Sequence, residues 1–90
     1  MNKGQLVELM AAKADTTQKA ATALLNALID SITQTVASGE KVTLIGFGTF
    51  DSRERKARTG RNPKTGELIQ IPPAVVPVFS AGKEFKEAMK

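Results

Sequence analysis

The side chains in this sequence that could do chemistry crowd into one run, Arg53-Glu54-Arg55-Lys56-Ala57-Arg58-Thr59-Gly60-Arg61-Asn62-Pro63-Lys64. Six of the chain's thirteen Lys and Arg residues fall in those twelve positions, against a single acid, Glu54. Cations gathered without compensating acids bind a polyanion, and the natural one is nucleic acid. Large apolar side chains are absent from residues 51–67, so the segment cannot bury itself. Residues 51–74 therefore read as an extended arm held out from a small core. An ordinary charge run is only a solvated loop. Here the arginine density, the scarcity of acids and the proline turn favour binding.

Within the arm, strand alternation puts Arg53, Arg55 and Ala57 on one face and Glu54, Lys56 and Arg58 on the other. Gly60 and Gly66 bracket Arg61-Asn62-Pro63-Lys64-Thr65, a run of turn formers. Pro63 has two readings that the residue alone does not separate. It is a turn proline that fixes the backbone, or an apolar wedge that enters the minor groove and kinks the duplex. Arg61 and Asn62 are types that contact base edges there. That groove mainly distinguishes A·T from G·C, so such reading is nearly independent of sequence. No helix carries the polar, arginine-bearing face that major-groove reading needs.

Other chemistries find little support. Without histidine or cysteine, the commonest general base, the thiol nucleophile, disulfides and an ordinary zinc site are all missing. Gly46-Phe47-Gly48 lacks the Gly-Lys-Ser or Gly-Lys-Thr of a phosphate loop and reads as a turn. Nine scattered carboxylates form no metal or acid–base pair. No enzymatic activity, cofactor or small-molecule substrate is expected. The arm has no aromatic residue, so Phe47, Phe50, Phe79 and Phe85 read as core or subunit packing, not as base-stacking platforms.

Ninety residues make one domain or one subunit. With the arm set apart, about two-thirds of the chain is left to form a core. Monomers of roughly 60 residues bury only about 60% of their unfolded surface, so oligomerisation is the expected source of stability. A homodimer would carry +8, twice the chain's +4. No run is apolar enough to span a bilayer, and the first residues lack the regions of a secretory signal, so a cytoplasmic protein is expected.

The elements that must position the arm are legible from periodicity. Asn2 and Gln5 form a capping-box pattern ahead of a helix with Leu6, Val7, Met10 and Ala14 on one side. Asp15-Thr16-Thr17 ends that helix and starts another, whose apolar positions are Leu24, Leu25, Leu28, Ile29, Ile32 and Val36. Ser38-Gly39 stops it. Lys41-Val42-Thr43-Leu44-Ile45 reads as a strand, and Thr49-Phe50 begins the next, which runs out into the arm. Leu68, Ile69 and Ile71 form the returning strand, interrupted by Pro72, Pro73 and Pro77, which suit edges and bends. Val75, Val76, Val78 and Phe79 re-enter the core. Ser80-Ala81-Gly82 then opens a short helix with Phe85 and Met89 on one side and Lys83, Lys86 and Lys90 on the other. An isolated two-stranded ribbon is marginally stable, so the arm is expected to move until it meets its ligand.

Gly46-Phe47-Gly48-Thr49-Phe50, the basic run from Arg53 to Arg58 and Gly60-Arg61-Asn62-Pro63-Lys64-Thr65-Gly66 resemble the bacterial histone-like HU family. So do Ile71-Pro72, Pro77-Val78-Phe79 and Ala81-Gly82-Lys83, and the match runs the length of the chain. That family is itself among the known minor-groove wedges, so the wedge reading of Pro63 is not independent of the resemblance. The resemblance implies an α+β fold forming an intertwined dimer, usually a homodimer. Each chain would contribute an N-terminal helical hairpin, a three-stranded antiparallel sheet with a long β-ribbon arm, and a short C-terminal helix. Residues 1–90 would be one domain, with 1–50 and 75–90 as dimerisation body and 51–74 as DNA-binding arm. Phe47, Phe50 and Phe79 would lie in the shared core. Arg53, Arg55, Lys56, Arg58, Arg61, Asn62, Pro63 and Lys64 would meet double-stranded DNA along the arm, and Lys3, Lys83 and Lys86 would meet phosphates on the flanks. Backbone amides near Lys83 would add to anion binding. Such a protein bends, wraps and compacts the bacterial nucleoid with little sequence preference.

Two departures stand out: Pro73 where the family more often has a small residue, and Phe85 where leucine is common. Two other functions fit part of the pattern. One is a sequence-preferring bender similar to integration host factor. The other is a basic RNA-binding or ribosome-associated protein, against which the proline between arginine-rich strands speaks.

Overall fold

A computed structural model describes all of residues 1–90. The chain forms α1 (Lys3–Lys13), α2 (Gln18–Ala37), β1 (Val42–Leu44), β2 (Gly48–Arg55), β3 (Arg58–Arg61), β4 (Leu68–Ile71), β5 (Ala74–Ala81) and α3 (Lys83–Glu87). It divides into two compact units, Met1–Gln34 and Thr35–Lys90.

In the first unit the capping box closes as its residue types require. Asn2 Oδ1 accepts the Gln5 N–H at 2.9 Å, and the Asn2 N–H donates to Gln5 Oε1 at 3.0 Å. Replacing Asn2 with alanine is expected to cost about 1 kcal/mol, read as a lower urea midpoint with unchanged slope at one fixed protein concentration. Asp15 takes a left-handed φ of 52° and turns the chain. Thr17 Oγ1 then accepts the Ala20 N–H at 3.1 Å and caps α2. The expected cluster of caps thus divides its labour, the aspartate turning and the threonine capping.

Val7 and Ala11 of α1 form a buried cluster with Ala21 and Leu25 of α2, with Met10 packed beside it. The alanines allow close approach. That leaves the larger residues of α2 outside: Leu24 is 64%, Leu28 46% and Ile29 49% exposed in the single chain. The apolar stripe expected from periodicity is therefore wider than one hairpin can cover. Gly39, at φ 95°, ends the turn after α2.

In the second unit β1, β2 and β5 form an antiparallel sheet in that order, with Val42 opposite Phe50 and Phe50 opposite Phe79. The shared register puts those three side chains on one face. The Phe50 and Phe79 rings are 4.8 Å apart, and Phe47, from the turn between β1 and β2, lies 5.4 Å from Phe79 and stacks on Phe85 at 4.8 Å. These aromatics pack on one another. Pro77 sits in β5 opposite Ser52, on an outer strand where its missing N–H costs no ladder bond.

Three expectations need correction. The outgoing strand is not continuous: the β2–β5 ladder ends at Arg55 opposite Ala74 and pairing resumes at Arg58 opposite Ile71. Lys56 and Ala57 lie between the two, as do Pro72 and Pro73 on the returning side, which lack N–H donors. Alternation therefore cannot be carried from Arg53 through to Arg58. Gly60 does not bracket the turn but lies inside β3 opposite Ile69, where a Cβ would stand 3.0 Å from Ile71 Cδ1. Finally, α3 stops at Glu87, so Met89 is 71% exposed and does not extend the Phe85 side.

Candidate nucleic-acid interface

The basic segment leaves the sheet as a stepped ribbon. Arg53 and Arg55 are exposed on β2 and share a face, opposite Val76 and Ala74. Glu54 points to the other face, opposite Val75. Lys56 lies in the break, beside a cleft lined by Glu54, Arg55, Ala57, Pro73 and Val75. Beyond it, Arg58 and Arg61 sit three residues apart on β3 and project from opposite faces of the ribbon.

The tip closes on itself. The Asn62 N–H donates to the Glu67 carbonyl at 2.8 Å, and the Gly66 N–H returns to the Asn62 carbonyl at 2.7 Å. Asn62 Oδ1 accepts the Lys64 N–H at 2.9 Å, an Asx turn that holds Pro63 and Lys64 outward. Gly66 supplies a φ of 72°, which a side chain at that position would resist. The structure thus gives Asn62 a first task inside the turn, with its side-chain oxygen already engaged. Glu67, as the residue that closes the hairpin, escaped the sequence reading because its partner is a backbone group.

None of the arm's cations is neutralised. The chain's one ion pair joins Lys90 to Glu87 at 3.3 Å, so Arg53, Arg55, Lys56, Arg58, Arg61 and Lys64 all lack a carboxylate partner. Even Glu54, among them in sequence, pairs with none. Lys3 opens α1, where its ammonium donates to Asn26 Oδ1. Lys83 and Lys86 are exposed one turn apart on α3. No group of His, Cys, Asp and Glu could hold a metal ion, and no helix is long and apolar enough to cross a membrane.

A family model described as "Bacterial DNA-binding protein" matches residues 1–90. The DNA-binding protein HU of a Nostoc species is 60% identical over 87 residues, 97% of this chain and 93% of that protein. The chain belongs to the HU family of bacterial DNA-binding proteins. The HU of Staphylococcus aureus is 52% identical over 90 residues, the full length of both chains. Among solved structures, an Anabaena HU–DNA cocrystal structure superposes with a TM-score of 0.95 at 58% identity, over 99% of this chain and 97% of that one. HU from Thermotoga maritima superposes at 0.72 with 32% identity over the whole of both chains. The HU fold is thus the α+β arrangement described above, with two helices, a three-stranded sheet, a ribbon and a final short helix.

Proposed function

We propose that this HU-family chain is a histone-like architectural protein that binds, bends and compacts duplex DNA with little sequence preference, as a homodimer without catalytic activity. One observation carries the reading: six cations without acidic partners line a ribbon whose tip presents an exposed proline. The Anabaena protein, whose cocrystal structure contains DNA, supports it through a likeness that includes the ribbon. Residues 51–74 act as the arm, and the rest of the single domain forms the body. Arg53, Arg55, Lys56, Arg58, Arg61 and Lys64 meet phosphates and groove edges. Asn62 shapes the tip and reaches base edges with its amide nitrogen. Pro63 is the wedge, as in the known examples from this family. Lys3, Lys83 and Lys86 hold the flanks of the DNA.

The homodimer follows from what a single chain leaves uncovered. Leu24, Leu28 and Ile29 on α2, and Phe47 and Phe79 at 43% and 41% exposure, are too many large apolar groups for a stable monomer. A second copy covers them, and Phe47, Phe50 and Phe79 then share one core. Such a protein works in the cytoplasm, on the nucleoid.

The test measures bend angle, affinity and mass together. Wild type is expected at twice the 9.6 kDa chain mass and to bend a nicked duplex. Pro63→Ala is expected to bend it much less while the Kd stays within about threefold, under about 0.7 kcal/mol. Equal bend angles would remove the wedge role, and a monomeric mass would remove the twin arms. Tighter binding to structured RNA than to nicked DNA would reverse the choice of ligand.

A further inference from the structure

The most exposed large apolar side chain of the arm is one that neither its packing nor its charge pattern uses. Along β4 the residues run Leu68-Ile69-Gln70-Ile71, so Ile69 and Ile71 share one face and Leu68 and Gln70 the other. On the first face the isoleucines are seated over Gly60, which leaves Ile71 half-buried and Ile69 43% exposed. On the second, Thr59 lies opposite Gln70 and Arg61 opposite Leu68. A polar residue would suit position 68 as it does position 70. Leucine stands there instead, 69% exposed, directly across from a guanidinium with no acidic partner.

We propose that Leu68 packs against the deoxyribose wall of the minor groove and makes the arm select duplex DNA over duplex RNA. The proposal rests on the DNA-binding reading above and adds how the sugar is sensed. Charge complementarity names the occupant. A ribbon carrying six free cations within twelve residues comes to rest on a phosphate backbone, and the apolar part of that backbone is its sugars. Cross-strand neighbours have Cβ atoms about 5 Å apart, so an Arg61 that reaches a phosphate or base edge brings Leu68 against the adjoining sugar. A deoxyribose offers only C–H groups there.

Ribose would offer a hydroxyl. The minor groove of an RNA duplex displays its 2′-hydroxyls, and leucine pressed on one strips it of water without supplying a partner. That groove is also wide and shallow, so one wall draws away from the ribbon and the apolar contact is lost. The arginines do not discriminate in this way, because both polymers present phosphate. Leu68 therefore supplies sugar selectivity, and the cations supply affinity.

The experiment compares the full chain with Leu68→Gln and Leu68→Met on a nicked DNA duplex and an RNA duplex of the same sequence, by fluorescence anisotropy at one salt concentration. Leu68→Gln restores the polar residue that the strand pattern invites. It is expected to bind DNA about tenfold more weakly, about 1.4 kcal/mol, with RNA affinity unchanged or improved. Leu68→Met, which keeps the apolar contact, is expected to retain the wild-type preference. Equal loss on both duplexes, an unchanged ratio, or a methionine variant that behaves like glutamine would each overturn the assignment. So would a wild-type mass that rises with concentration and falls back in Leu68→Gln, since the leucine would then serve contact between copies. If the wild type binds neither duplex, the DNA-binding reading falls too. If it binds DNA tightly while Leu68→Gln keeps the same selectivity, only this inference falls.

Discussion

Changing Arg55, Arg58 and Arg61 together to alanine is expected to weaken binding to duplex DNA by at least about a thousandfold at low salt. The three guanidiniums are exposed and free of carboxylate partners, so no internal pair offsets their loss. Every phosphate a cation neutralises releases counterions, and log K falls with log salt at about 0.9 per phosphate. Three arginines per chain make six per homodimer, so the salt slope should become shallower by about 5. The two binding curves must then converge as salt is raised. The loss should be alike on unrelated sequences, because phosphate contacts carry no base information. Titrations at four salt concentrations, with circular dichroism to show the fold intact, check this. A large loss of affinity with an unchanged slope would mean that the arginines hold the arm's shape and not the DNA.

That prediction draws on a part of the molecule that was plain in the sequence. Charge needs no tertiary context, so the run from Arg53 to Lys64 marks itself wherever the chain goes. The capping residues were equally legible, because Asn2 and Gln5 satisfy each other three residues apart. What periodicity could not give was the point at which pairing changes. The step at Lys56 and Ala57 depends on Pro72 and Pro73 coming back along the other side of the arm, and that follows from the length of the tip. Gly60 misled for a similar reason. A glycine beside a turn-forming run looks like part of the turn, yet here it makes room for an isoleucine on the partner strand. The apolar positions of α2 were read correctly as apolar but not as two-faced. Which leucines face α1 depends on the small Ala11 and Ala21, whose burial is a matter of three-dimensional packing.

The step divides the basic residues between two sheets. A ladder that runs unbroken to Arg55 holds Arg53 and Arg55 on the sheet, while Arg58 and Arg61 ride on a separate two-stranded piece. Two-stranded ribbons are weak alone, and Lys56 and Ala57 lie unpaired between the two sheets.

The packing of the three-stranded sheet turns on Gly48, and Gly48→Ala is expected to be the most damaging single methyl in the chain. Gly48 begins β2, is buried, and faces Ala81 of β5. A Cβ there would lie 2.6 Å from Phe79 Cε1, 2.7 Å from Phe79 Cζ and 2.6 Å from the Ser80 carbonyl oxygen. No real Cβ tolerates such distances. The ring cannot swing aside freely, since it packs on Phe50 at 4.8 Å and on Phe47 at 5.4 Å. The carbonyl belongs to the backbone of the next ladder pair, Thr49 with Ser80, so moving it strains the sheet. Overpacking of this kind costs about 1–3 kcal/mol, and the displaced ladder puts this case at about 3. For a chain of this size that lowers Tm by about 12–24 °C, measured at equal protein concentration because a dimer's Tm depends on it. Gly66→Ala is the contrast: its φ of 72° is unfavourable to a side chain, but nothing lies within 4 Å of the new Cβ. It should cost about 1 kcal/mol confined to the arm tip and leave the global Tm nearly unmoved. If Gly48→Ala melts beside the wild type, the ring stack is not locked against the β2 backbone. If instead it melts early yet binds DNA normally when cold and folded, the glycine serves the body alone and the arm acts independently of it.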